Sequence, residues 1–185
     1  MSEQKKITIG IPTYKRNHLL VKTLNCLKNQ TFKDIDIYVS NNSTDNQDID
    51  EINKIKRDIE NEDFKFNLIH QKKNIGSINN LLFLLNLSNT KYFMWLCDDD
   101  ELSPKCLDIL ISDIENNPDV ISVAPYWSHI IREGDIKVKA PVTYSSNFKI
   151  FRIINFLFKA DDAFFYGLHK TKYLKKCKYI SFWSI

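Results

Sequence analysis

Between Ile7 and Ala124, short apolar runs of strand length alternate with longer stretches of helical period. That alternation leaves few folds open to the chain. The runs Ile7–Ile11, Ile35–Val39, Phe66–His70, Tyr92–Cys97 and Val120–Ala124 predict five strands, with Pro12 ending the first. A helix fits Leu19–Lys28, where Leu20, Leu24 and Leu27 share one face. A second fits Gln47–Asn61 through Ile49, Ile52, Ile55 and Ile59. A third is opened by Asn74-Ile75-Gly76-Ser77 and runs to about Leu87. The fourth reaches Asn116, with Ser103 as N-cap and Pro104 at the first helical position. Strands alternating with helices in this way predict an α/β domain with a mostly parallel sheet and right-handed crossovers.

Beyond Pro125 the pattern changes. Ile130–Ala140 reads as a hairpin around Glu133-Gly134, Phe148–Phe158 as a helix and Ala163–His169 as a further strand. The chain closes on the apolar Ser181-Phe182-Trp183-Ser184-Ile185, which predicts a domain that is C-terminally incomplete.

Length and charge narrow the function classes. The 185 residues suit one domain, and 43% hydrophobic with 26% charged residues is ordinary for a globular protein. A net charge of +3 with lysines dispersed among acids argues against nucleic acid as a partner. Cys26, Cys97, Cys106 and Cys177 show no C-x-x-C pair, and three of them lie in apolar-periodic stretches. They read as buried thiols of a reducing cytosol. The N-terminus runs straight into a strand without the pattern of a signal peptide, and no apolar stretch has the length of a membrane span. The expectation is a cytoplasmic protein, with peripheral association at the inner face of the membrane left open.

Three polar clusters each follow a predicted strand: Thr13-Tyr14-Lys15-Arg16, Ser40 to Asp45, and Asp98-Asp99-Asp100-Glu101. In a parallel sheet such loops share the edge at which ligands bind. The loop before the third helix adds Lys72, Lys73, Asn74 and Gly76 to that rim. Adjacent carboxylates repel unless a cation or strong donors compensate them, and Mg²⁺ or Mn²⁺ does so readily while bridging substrate phosphates. This inventory suits a nucleoside diphosphate held through a metal. The bland alternatives are an acidic loop leading a helix, and an N-cap in the cluster ending at Asp45. No G-x-G-x-x-G or G-x-x-x-x-G-K-[ST] occurs, which disfavours a dinucleotide cradle and a P-loop.

The segments Ile7-Thr8-Ile9-Gly10-Ile11-Pro12-Thr13-Tyr14-Lys15-Arg16, Val39-Ser40-Asn41-Asn42-Ser43-Thr44-Asp45, Asn74-Ile75-Gly76 and Trp95-Leu96-Cys97-Asp98-Asp99-Asp100 carry a resemblance. In order and spacing they resemble the nucleotide-binding half of a family 2 glycosyltransferase of the GT-A fold. Phe165-Tyr166-Gly167-Leu168 is similar to a segment early in that family's acceptor half. The resemblance implies one GT-A domain: a nucleotide-binding half over residues 1–100, and the start of an acceptor half over 101–185. It implies a metal-dependent, inverting transfer of sugar from a nucleotide diphosphate donor, UDP-sugar favoured, to an acceptor hydroxyl. The setting would be synthesis of bacterial-type surface polysaccharide or glycoconjugate, with a saccharide or lipid-linked acceptor.

Carried over by position, the resemblance gives Pro12, Thr13, Tyr14, Arg16, Asn41, Ser43, Asn74, Gly76, Asp98 and Asp99 to the nucleotide-sugar. Tyr14 would lie on the base, and Asp98 and Asp99 would contact the ribose and its neighbours. Asn41 stands where the family usually has an aspartate that reads the base edge. Asp100 would hold Mn²⁺ or Mg²⁺, whose work is to neutralise the departing diphosphate. The family's general base falls past Ile185, leaving Asp161 and Asp162 as stand-in candidates. Two other readings stay open at this point. A nucleotidyltransferase would need a glycine- and basic-rich phosphate loop, which Pro12 to Asn17 does not supply. A non-catalytic nucleotide- or sugar-binding module would need no base.

Overall fold

The computed structural model describes residues 5–132, 135–139 and 165–176, with the side chains of 127–139 left aside. The elements run β1 (Ile7–Thr13), α1 (Asn17–Lys28), β2 (Ile35–Asn41), α2 (Asn46–Ile59), β3 (Asn67–His70), α3 (Ser77–Leu87), β4 (Tyr92–Trp95), α4 (Cys106–Asn116) and β5 (Ser122–Val123). A hairpin of β6 (Trp127–Arg132) and β7 (Asp135–Lys139) follows, then β8 (Leu168–Lys170) and a short α5 (Thr171–Leu174). The main sheet has the order β3-β2-β1-β4-β8-β5. β3, β2, β1 and β4 are parallel, so their C-terminal ends share one edge, while β8 is antiparallel to both β4 and β5.

Side-chain alternation splits the core into two layers. Ile7, Ile9 and Ile11 of β1 and Tyr92 and Met94 of β4, with Leu96 just beyond it, pack with Leu20, Leu24, Leu27, Ile52, Leu107 and Ile114 from α1, α2 and α4. Phe93 and Trp95 point to the opposite face and meet Leu84 and Leu85 of α3. Gly10 lies on that second face. A Cβ there would come within 3.0 Å of Leu84 Cβ and Phe93 Cζ, so only glycine lets α3 sit this close to the sheet. Trp95 is fixed by its Nε1 donating to Leu81 O at 3.0 Å and by stacking on Phe165, with centroids 5.2 Å apart.

Several boundaries differ from those read in the sequence, each for a physical reason. Pro12 does not end β1, which continues to Thr13 in register with Asn41. Gly10 O accepts from Leu96 N, but β4 pairs no further than Gly10. Pro12, two residues on, points its missing N–H to that same side, where no ladder bond is lost. α4 begins at Cys106, and Ser103 is not its cap. Pro104 O is taken by Thr31 N and Thr31 Oγ1, and Leu107 N instead donates to Gln30 Oε1 at 3.3 Å. β4 ends at Trp95 rather than Cys97, and β5 shrinks to two residues because its partner β8 has only three. Val120 and Ile121 are left exposed. The predicted hairpin is present as β6 and β7; Glu133-Gly134, the predicted helix Phe148–Phe158, and Ala163 lie outside the described residues.

Candidate active site

The strand exits at Thr13, Asn41, His70 and Trp95 gather the polar clusters at one edge. After β1, Tyr14 is 48% exposed, its ring open to a partner. Lys15 adopts φ 55, a left-handed conformation costing a non-glycine residue about 1–2 kcal/mol, and its ammonium meets Asp45 Oδ2 at 3.2 Å. Arg16 swings across to the acidic run, bonding Asp98 through one guanidinium nitrogen and Asp99 Oδ2, at 2.9 Å, through the other.

The acidic run is not uniform. Asp98 is fully buried, with one oxygen accepting from Thr13 Oγ1 at 2.7 Å and the other facing Arg16. Burial pushes its carboxyl up, while the Thr13 bond and the Arg16 charge pull the other way. Its side chain ties the β1 exit to the β4 exit. Asp99 is exposed at the rim and Asp100 half-buried. Thr23 of α1 donates to Asp100 O at 2.9 Å, and Asp100 N donates to Cys97 O at 3.2 Å, which together fix the turn. Burial, then the charge of Asp99, pushes the Asp100 carboxyl up.

Cys97 faces the same space. Its Sγ and one oxygen from each of Asp99 and Asp100 all lie within 4.8 Å of one another. Tyr166, delivered by the turn before β8, donates its hydroxyl to Cys97 Sγ at 3.6 Å and also acts on the Asp100 carboxylate. Burial pushes the Cys97 thiol up to about 11 and raises the Tyr166 hydroxyl as well. Among the described residues, Asp100 Oδ2 is buried and receives no hydrogen bond. An orphaned carboxylate oxygen beside a second carboxylate is what a hard divalent cation would satisfy, so these residues fit such an ion.

Asn41 is fully buried with its amide engaged on both sides. Its Oδ1 accepts from Ser43 N at 2.9 Å, and its Nδ2 donates to Asp48 Oδ2 at 2.9 Å and to His70 Nδ1 at 3.3 Å. A donating amide makes His70 Nδ1 the acceptor, so the ring is neutral and its Nε2–H donates to Asn53 Oδ1 at 3.3 Å. Burial holds the His70 pKa below its usual value, in keeping with that form. The structure therefore places Asn41 beneath the rim as a brace between β2, α2 and β3. Ser43 is also buried, its hydroxyl accepting from Asp45 N. Asp45 itself caps α2 by accepting from Gln47 N at 3.0 Å.

Asn74 is exposed but organises its loop: its Oδ1 accepts from Asn42 Nδ2 at 3.0 Å and Gly76 N at 2.8 Å. Gly76 has φ 80, a conformation that favours glycine. Pro12 lies between Ile11 and Thr13 on β1, half-buried. Lys72 and Lys73 are exposed. Asp161 and Asp162 lie outside the described residues. Cys97, Tyr166, His70 and Gln30 are the parts that sequence reasoning did not bring to the site. Cys97 had a usable signal in its place directly before the acids, while the others arrive by tertiary packing.

Residues 8–175 match the sequence model of Glycosyl transferase family 2, and the chain belongs to that family. It resembles the solved structure of S. aureus TarS 1-349 in complex with UDP-GlcNAc, at 16% identity and TM-score 0.67, over 92% of this chain and 46% of that one. It also resembles mannosyltransferase PcManGT from Pyrobaculum calidifontis in complex with GDP-Man and Mn²⁺, at 14% identity and TM-score 0.57, over 66% and 36% of the two chains. These likenesses establish the GT-A fold, a mostly parallel mixed sheet flanked by helices. A curated relative is the GalNAc(5)-diNAcBac-PP-undecaprenol beta-1,3-glucosyltransferase of Campylobacter jejuni, 27% identical over 106 residues, 57% of this chain and 33% of that protein. The chain spans 38% and 33% of the lengths of the two curated relatives it matches. Among the described residues, no helix is long and apolar enough to cross a membrane.

Proposed function

We propose that this chain is the donor-binding part of a metal-assisted, inverting glycosyltransferase that moves a sugar from a UDP-sugar to an acceptor hydroxyl. One observation carries the reading. The β1 and β4 exits are locked together through Thr13, Asp98 and Arg16, which leaves Asp99 and Asp100 at the same sheet edge as the exposed Tyr14. Family membership and the likeness to structures holding UDP-GlcNAc, or GDP-Man with Mn²⁺, support it.

In this reading Tyr14 stacks on the base, and Asn74 and the Gly76 turn shape the pocket wall. Asp98 and Asn41 work from below, the first holding Arg16 and the second holding Ser43, Asp48 and His70 in place. Asp99 and Asp100 would hold Mn²⁺ or Mg²⁺. When bound, the ion supplies charge neutralisation at the diphosphate leaving group. Arg16 adds a fixed positive charge next to the same groups. The donor base is proposed as uracil, the sugar left unnamed. A saccharide or lipid-linked acceptor is in keeping with the name of the Campylobacter relative. With such an acceptor the proposed setting is cytoplasmic, at the inner face of a membrane.

Calorimetry with UDP and GDP, with and without Mn²⁺, tests the proposal. UDP should bind with Mn²⁺ present and lose that metal dependence in Asp100→Ala. Failure of every nucleoside diphosphate to bind in a metal-dependent way would sink it.

A further inference from the structure

We propose that Cys97 Sγ is a ligand of the same cation site, giving it an affinity for softer ions such as Cd²⁺, Co²⁺ or Zn²⁺ that an all-oxygen site lacks. The inference rests on the metal-site reading of Asp99 and Asp100 given above. Its first support is geometric, since the sulfur and the two carboxylates already lie within 4.8 Å of one another. Donor atoms on one tetrahedral ion sit roughly 3.5 Å apart, given metal–ligand distances of about 2.0–2.3 Å, so small side-chain rotations complete the set. The second support is the buried, unpartnered Asp100 Oδ2.

The third support separates Cys97 from the other described cysteines. Cys106 is part of the apolar core and Cys26 packs against it, whereas Cys97 belongs to neither core layer. It leaves β4 directly after the buried Leu96, its carbonyl held in the turn by Asp100 N. Among the described residues the sulfur takes one hydrogen bond, from the Tyr166 hydroxyl, which leaves lone pairs for an ion. Coordination takes the sulfur as thiolate: the S–H bond breaks, the proton passes to solvent, and the sulfur–metal bond forms without change of oxidation state. Thiolate ligands favour soft and borderline metals, while carboxylates favour Mg²⁺ and Mn²⁺. A mixed set therefore widens the range of ions the site accepts.

The test is a Cd²⁺ titration of the whole chain, read by ultraviolet sulfur-to-cadmium charge-transfer absorption, with Cys97→Ser, Cys97→Ala and Asp100→Ala alongside. The remaining cysteines are common to all variants and set the background. Wild type should show a saturable band that both Cys97 variants lose, with Cd²⁺ affinity reduced roughly 10–100-fold, a loss on the scale of other metal-site substitutions. Mn²⁺ binding with UDP present, followed by electron paramagnetic resonance, should change far less in those variants. Cd²⁺ binding that needs Asp100 but is the same without Cys97 overturns the sulfur ligand and leaves the metal site standing. Absence of any Asp100-dependent ion binding overturns both.

Discussion

Gln30 offers the sharpest test of how the acidic turn is held. It is 1% exposed and belongs to no helix, lying just past the end of α1. Its Nε2 donates to Ser103 O at 2.8 Å and Leu102 O at 3.3 Å, and its Oε1 accepts from Leu107 N at 3.3 Å. One amide thus stitches the segment after the acids to the first turn of α4. Gln30→Met keeps most of the volume and removes these three bonds together with a longer one from Nε2 to Cys26 O at 3.4 Å. Leu107 is fully buried, so its N–H is left unpaired at about 1–3 kcal/mol. Ser103 is exposed and water can replace its lost donor, while Leu102 is intermediate; together they add about 1 kcal/mol. The expected loss is about 2–4 kcal/mol, read as a shift in the urea midpoint by tryptophan fluorescence. Gln30→Glu keeps the acceptor for Leu107 N and should lose less as pH falls and the acid regains a donating hydrogen. Because the same turn carries Asp99 and Asp100, UDP affinity in Mn²⁺ should weaken in Gln30→Met. A midpoint shift worth under about 0.5 kcal/mol at unchanged slope would refute the reasoning.

Tyr14→Ala should lower UDP affinity about 2–12-fold, from about 0.5–1.5 kcal/mol of ring contact, with no comparable effect on stability; calorimetry and urea unfolding separate the two. His70 carries a pH signature. Its folded pKa is depressed, so the unfolded chain takes up the proton first, and stability present near neutrality is lost as pH falls through the unfolded value of about 6.5 and below. His70→Gln should flatten that part of the stability profile between about pH 7 and pH 5 relative to wild type; matching profiles would count against the neutral-ring assignment. Gly76→Ala meets no atom within 4 Å but inherits φ 80 and ψ 160, a backbone region essentially reserved for glycine, so it should cost about 1–3 kcal/mol from strain alone, measured by thermal unfolding.

The sequence and structure agree where local chemistry decides. β-branched and aromatic runs mark β1 to β4, and their parallel order follows from the helices between them. Those same runs bring the three polar clusters to one edge. What stays hidden is decided by contacts between distant residues. Nothing near Ser103 announces that Gln30 will cap α4 in its place. Nothing in four consecutive acids says that Asp98 will turn inward to Thr13 and Arg16 while Asp99 stays outside. Nothing beside Asn41 announces that its amide will bond Ser43 N on one side and Asp48 on the other. Cys97 reads as one buried thiol among several because composition alone does not separate a core sulfur from one at a rim. The antiparallel β8 between β4 and β5 breaks the pattern set by the preceding strands, and its three residues carry too little periodicity to announce it.

That inserted strand also imposes an order in time. β1 to β4 leave the ribosome well before Tyr166, and chains are built from the N-terminus onward. Until β8 docks beside β4, Trp95 lacks its stacking partner Phe165, and Cys97 and Asp100 lack the Tyr166 hydroxyl. A nascent chain can therefore pair β1 to β4 while Cys97 and Asp100 still lack their neighbour from the segment before β8. The surroundings of the acids are complete only once β8 has docked.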